Sequence, residues 1–174
     1  MRRIIYVEDT YGVGFHRGLL EKLRGAGLLS SDLNPRIERL PAGKCNKALQ
    51  RKVLAKIVEL GAAALKAVFV VDSEGDPEAG RAAILRHFGN PPPGVSVRVV
   101  TVDPRHEAWL CIGLGGGRSD CRGDPEEVLH RLRGVRYDKE HLGEWVTDVD
   151  IRRLLGEPDF RDYLDSLRWL SEDP

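Results

Sequence analysis

The sequence predicts an α/β protein, a parallel sheet with helices on both faces followed by a helical C-terminal extension. Short β-branched runs alternate with amphipathic stretches from residue 3 to about 112, the order that yields a parallel sheet. The strand-like runs at 3–7, 67–71 and 95–102 end in acid (Glu8-Asp9, Asp72-Ser73-Glu74, Asp103), and ligands of such sheets bind beyond the strands' carboxyl ends. From Gly113 onward the strand signal disappears and helical spacing alone remains. The expected organisation is therefore a core over residues 1–112 and an extension packed on it over 113–174.

Taken in order, RIIYV (3–7) is the first buried strand. In GVGFHRGLLEKLRGAG, Phe15, Leu19, Leu20 and Leu23 fall at helical spacing, and Gly25 and Gly27 stop the helix. NPRIERLPAG is a weak second strand carried by Ile37 and Leu40. A helix is expected from Asn46 to Leu60, with Gly61 as its stop. AVFVV (67–71) is the third strand and VSVRVVTV (95–102) the fourth. Asp76-Pro77 and Asp103-Pro104 each read as a helix cap followed by proline at the first helical position. The first opens a helix to about His87, the second the helix of HEAWLCIGL. Further on, GLGGGRSDCRG reads as a flexible connection and DPEEVLHRLRG as a helix capped by Asp124, with Glu127 completing a capping box. EPDFRDYLDSLRWL is a closing amphipathic helix.

Composition limits the function classes. The chain has 174 residues, 41% hydrophobic and 31% charged, which suits one globular core and argues against disorder. No apolar run reaches the roughly 18 to 20 residues a membrane span needs. MRRIIYVED meets acid too early for a secretory signal, so the cytoplasm is the expected location. The net charge of zero conceals a division: residues 1–70 hold 13 Lys/Arg against 6 Asp/Glu, and residues 71–174 hold 14 against 21. A basic half can face phosphate while an acidic half holds cations, or both can be ordinary solvated surfaces. Three cysteines without a CxxC pair argue against a zinc site. Four Asn/Gln residues and one Met hint at a thermophilic source, where a Cys111–Cys121 disulfide is compatible with the cytoplasm.

The acids at the strand ends carry the functional argument. Carboxylates crowded at neighbouring ends repel unless Lys or Arg neutralises them or a divalent cation bridges them. Mg²⁺ accepts hard oxygen ligands and needs only one or two carboxylates plus substrate phosphate. Glu8, Asp72 and Glu74 suit that role, because Asp72 and Glu74 share a side if the segment stays extended. Asp76 reads first as the cap of the following helix, because Pro77 follows it, and only second as a further ligand, and Asp103 is read as a cap. GKCNK (43–47) lacks the rest of a P-loop, and GLGGG (113–117) follows a helix where a dinucleotide fingerprint follows a strand. The five histidines show no metal spacing, and His106 reads as a partly exposed structural residue. Trp109 reads as core.

YVEDTYG, VVDSEGDPEAGRAA and HEAWL together resemble the Toprim fold of primases, topoisomerases and overcoming-lysogenization-defect nucleases. HEAWL, DPEEVLHRL, YDK (137–139) and PDFRDYLDSL are similar to segments of the small stand-alone Toprim-like proteins of the DUF4276 type. The resemblance implies that Glu8 acts in acid/base or metal chemistry and that Asp72 and Glu74 hold Mg²⁺, with Mn²⁺ as a substitute. Two departures stand out: Glu74 replaces the second Asp, and Asp9 stands where the family has Gly.

The expected activity is metal-dependent cleavage or transfer at a nucleic-acid phosphodiester. Glu8 and Glu107 are its candidate acid/base residues, and Lys139, Arg81 and Arg105 its candidate phosphate contacts. Two alternatives remain. One is a non-catalytic nucleic-acid or nucleotide-binding module of the same fold. The other, a phospho-receiver domain, is disfavoured by the long separation of Glu8 from Asp72.

Overall fold

The structure, a computed structural model, describes residues 1–173. Four parallel strands form one sheet in the order β2-β1-β3-β4, with β1 at Arg2–Val7, β2 at Arg36–Arg39, β3 at Leu65–Asp72 and β4 at Val95–Val102. The chain leaves β1 for β2 on one side and then crosses to β3 on the other, so the strand order reverses between β1 and β3. That reversal opens a crevice at their carboxyl ends. The register places Val7 against Val70 and Asp72 against Val102, which brings both acidic strand ends to one rim.

Side-chain alternation divides the core. Ile5 and Val7 of β1 and Val68 and Val70 of β3 join the larger apolar cluster, together with Phe15, Trp109, Leu129, Trp145, Phe160 and Tyr163. Ile4, Tyr6, Ala67, Phe69 and Val71 face the smaller cluster, closed by Leu49, Val53, Ile84 and Phe88. Helices α2 (Leu49–Glu59) and α3 (Pro77–Phe88) cover the second face. Helix α1 (Thr10–Gly25) covers the first, together with α4 (His106–Gly113), α5 (Arg118–Gly123), α6 (Pro125–Arg133), α7 (Glu140–Trp145), α8 (Ile151–Leu154) and α9 (Pro158–Ser171).

Helix α1 begins where Asp9 accepts a hydrogen bond from the Gly12 N–H at 3.0 Å, and it buries Phe15, His16, Leu19, Leu20 and Leu23. Its small residues admit the C-terminal part at close range, since a Cβ on Gly18 would collide with the Val146 side chain. Two expectations change. GLGGGRSDCRG contains the helix α5, joined to α4 by a Cys111–Cys121 disulfide with a Cα–Cα separation of 5.6 Å. And α4 starts at His106 after an Arg105 cap with no side-chain bond, so Asp103 does not cap it. Asp103 instead accepts from the Ser73 hydroxyl at 2.5 Å, tying the ends of β3 and β4 together. Among the described residues no helix is long and apolar enough to cross a membrane.

Candidate active site

A cavity of about 530 Å³ opens at the β1/β3 crevice, and its walls carry Glu8, Asp9, Asp72, Glu74, Arg105, His106, Glu107, Arg122 and Lys139. Alternation explains how the acids diverge. Asp72 continues the Val68–Val70 side and so points toward α4, whereas Glu8 follows Ile4 and Tyr6 toward the other face.

On Glu8's side the β2–α2 connection delivers Lys44. Its Nζ donates to Glu8 Oε1 at 2.9 Å and to the Asp72 main-chain carbonyl at 3.3 Å, and lies 3.9 Å from Glu74 Oε1. Burial pushes the Glu8 carboxyl above its ordinary pKa; the hydrogen bond from Lys44 opposes the rise and the Asp72 charge adds to it. Burial pulls the Lys44 ammonium down, but the bond and charge of Glu8 outweigh it and hold the proton more tightly than usual.

Asp72's carboxylate is committed elsewhere. Its Oδ1 accepts from the His106 backbone N–H at 2.9 Å, capping α4, and lies 2.5 Å from His106 Nδ1. Behind it, His106 Nε2 is 2.8 Å from His16 Nε2, and His16 Nδ1 is 2.7 Å from the Tyr163 hydroxyl. His16 is fully buried and His106 is 6% exposed. Burial, helped by the His106 charge, drives the His16 pKa well down. Burial also works against a charged His106, yet the Asp72 carboxylate reverses that and raises its pKa. Burial raises Asp72 in turn, and the His106 charge and hydrogen bonds overcome it, so its pKa falls. The result is a four-membered chain from the cavity wall into the core, Asp72–His106–His16–Tyr163.

The opposite wall holds Glu107, buried and accepting from the Tyr137 hydroxyl at 3.0 Å. That bond fixes the carboxylate's orientation, and burial plus the Glu107 charge raises the Tyr137 phenol further from ionisation. Lys139 stands 3.6 Å from Asp9, and Arg105 donates to Glu126 at 3.0 Å. Arg122 grips Asp159 with a guanidinium fork at 2.7 and 2.8 Å and reaches Glu157 at 3.2 Å, fastening α5 to the start of α9.

Of the residues the sequence nominates, Glu8, Asp72, Glu74, Glu107, Arg105 and Lys139 line the cavity, and Asp76 and Arg81 do not. The Asp76 carboxylate caps α3 by accepting from the Ala79 N–H at 3.0 Å. Arg81 is exposed and pairs with Asp162 at 3.2 Å. Asp72 and Glu74 do not form an extended pair, because β3 ends at Asp72 and Glu74 takes a left-handed φ of 53°. Its carboxylate swings outward and stays 74% exposed. His106, expected to be partly exposed, is the buried partner of Asp72, while Trp109 is fully buried as expected. His16, Lys44 and Tyr163 were not anticipated. His16 had a signal, since it sits four residues before Leu20 on the apolar stripe of α1. Lys44 had none.

Among the described residues no group of three or more His, Cys, Asp and Glu side chains could hold a metal ion. The donor set that does converge is two carboxylates and one main-chain carbonyl around the Lys44 ammonium. These are hard oxygens, the donor type Mg²⁺ accepts, and the Lys44 ammonium already neutralises them. No family model matches the chain, and no curated protein or solved structure does either.

Proposed function

We propose that this protein carries out Mg²⁺-dependent phosphoryl transfer on nucleic acid and acts as a nuclease of the Toprim type. The observation that carries the reading is the convergence of Glu8, Glu74 and the Asp72 carbonyl on one cationic point at the β1/β3 crevice. The Toprim resemblance of YVEDTYG and VVDSEGD supports it, because Glu8, Asp72 and Glu74 stand at the sequence positions where the family's motifs carry their acids.

Glu8, Glu74 and the Asp72 carbonyl would hold the divalent cation, which when bound polarises a phosphoryl oxygen and offsets developing charge. Glu8 stays ionised in that role, and the leaving oxygen would take its proton from solvent. Glu107, oriented by Tyr137, accepts a proton from an attacking water at its carboxylate. His106 has both ring nitrogens engaged, so it acts as a positioning residue that keeps Asp72 ionised and the α4 end in place. Lys139 and Arg105 lie at the cavity wall where backbone phosphates would pass.

One observation favours a second reading. Lys44 and His106 already neutralise the crevice acids, as a non-catalytic nucleic-acid or nucleotide-binding module would require. That module binds in a salt-sensitive manner without metal-dependent turnover. Labelled single- and double-stranded DNA and RNA, incubated with Mg²⁺, Mn²⁺ or EDTA, separate the two. Metal-dependent cleavage by the wild type that disappears in a Glu8→Gln/Asp72→Asn double variant supports the enzyme. Equal behaviour of the two proteins rejects it.

A further inference from the structure

Resting on the nucleic-acid reading above, we infer that the β2–α2 side of the molecule is a track for single-stranded nucleic acid. Arg39, Lys47, Arg51 and Lys52 hold backbone phosphates along it and lead the strand into the crevice.

Charge is concentrated on this side. Residues 36–56 hold seven Lys/Arg against one acid, Glu38. That acid is taken by Arg36 at 2.9 Å and lies 4.0 Å from Lys56, and Lys44 is held by Glu8. Arg39, Lys47 and Arg51 are exposed, and among the described residues their side chains have no ion-pair or hydrogen-bond partner. Lys52 is exposed as well, and its Nζ donates to the Pro41 carbonyl at 3.3 Å, a neutral acceptor that leaves its charge uncompensated. Four unneutralised cations on one side of a chain with zero net charge set up a local positive potential that draws a polyanion. The contacts are between phosphate and side-chain cations alone, so the track needs no metal ion.

Shape selects the kind of polyanion. Lys47, Arg51 and Lys52 stand at the start of α2, on the second face of the sheet. Pro41, which receives Lys52, lines a cavity of about 350 Å³ together with Arg39 and Glu8. Glu8 is also a wall of the larger cavity, where Arg105 and Lys139 stand. The cations therefore turn from the outer side of α2 round the rim of the sheet and into the crevice. Between them Leu40, Pro41 and Ala42 offer apolar wall to sugars and bases. Duplex DNA, stiff over about 150 base pairs, does not follow such a turn within one small domain, and a flat lipid surface touches α2 alone. A single strand bends with the charge.

The test is fluorescence anisotropy of labelled single-stranded DNA and RNA of about 20 nucleotides, and of the matching duplexes, with the full-length protein in EDTA. Arg39→Gln/Lys47→Gln/Arg51→Gln is expected to bind the single strands on the order of 100-fold more weakly than wild type at about 0.1 M salt. Its slope of log affinity against log salt is expected to be shallower by about 2, from three contacts at about 0.7 each. Arg152→Gln/Arg153→Gln/Arg168→Gln removes the same charge from exposed positions on α8 and α9 and is expected to stay within about threefold of wild type. In wild type itself, saturating single strand is expected to slow acetylation of Lys47 and Lys52 by N-hydroxysuccinimide acetate about fivefold or more. Several results overturn the track and leave the proposed function standing: undiminished binding by the first variant, an equal loss in the second, unprotected Lys47 and Lys52, tighter binding of duplex than of single strand, or equal competition by poly-glutamate. If wild type binds no nucleic acid, with or without Mg²⁺, the proposed function and the track fall together.

Discussion

Nε2 of His106 and Nε2 of His16 face each other at 2.8 Å inside the protein. One hydrogen fits between two such nitrogens, so one ring donates and the other accepts. Asp72 at 2.5 Å from His106 Nδ1 favours the charged form of His106, and burial disfavours a charge on His16. A buried imidazolium is tolerated because a carboxylate touches it. The cavity rim at Asp72 and the core at Tyr163 of α9 are thereby one hydrogen-bonded unit.

That arrangement predicts a pH signature. The His106 pKa is raised in the folded state, so the stability it contributes is complete below the ordinary histidine value of about 6.5 and is lost as pH rises through the folded value. Urea denaturation of wild type and His106→Gln from pH 5 to 9 should show the largest stability gap at the acid end, narrowing as pH rises. A gap that widens with pH contradicts the assignment.

Tyr163 should matter through its hydroxyl as well as its ring. Tyr163→Phe keeps the packing against Trp109 and Phe160 but leaves His16 Nδ1 without its partner at full burial. The expected cost is about 1–3 kcal/mol by urea denaturation, with an unchanged dependence on denaturant. A loss under about 0.5 kcal/mol would mean that the hydroxyl contributes little.

Legibility followed the physics of each segment. AVFVV and RIIYV were readable because fully buried parallel strands are continuous β-branched runs. The Asp76-Pro77 and Asp124-Pro125 caps were readable because the side-chain bond is local in sequence. Asp103-Pro104 carries the same signature, yet the α4 end is capped by Asp72, a residue 34 positions earlier that only the fold brings near. Lys44 is separated from Glu8 by 36 positions, and no spacing rule links them. Glu74 was misplaced because the extended geometry assumed for it ends at Asp72.

The disulfide was anticipated only as a possibility, and its position gives it a measurable role. It closes a loop with a sequence separation of 10 between α4 and α5, the helices that carry Glu107 and Arg122. Replacing both cysteines by alanine should lower stability by about 2–3 kcal/mol. The difference should vanish when both proteins are compared in excess reductant under denaturing conditions that reduce the bridge. Equal stability of oxidised wild type and the double variant would show that the bridge adds nothing.

A crystal soaked in Mn²⁺ tests the central claim most directly. The account predicts an anomalous peak at the β1/β3 crevice, in contact with Glu8, Glu74 and the Asp72 carbonyl. A crystal that shows no peak there, with Lys44 still bonded to Glu8 under saturating Mn²⁺, would contradict it.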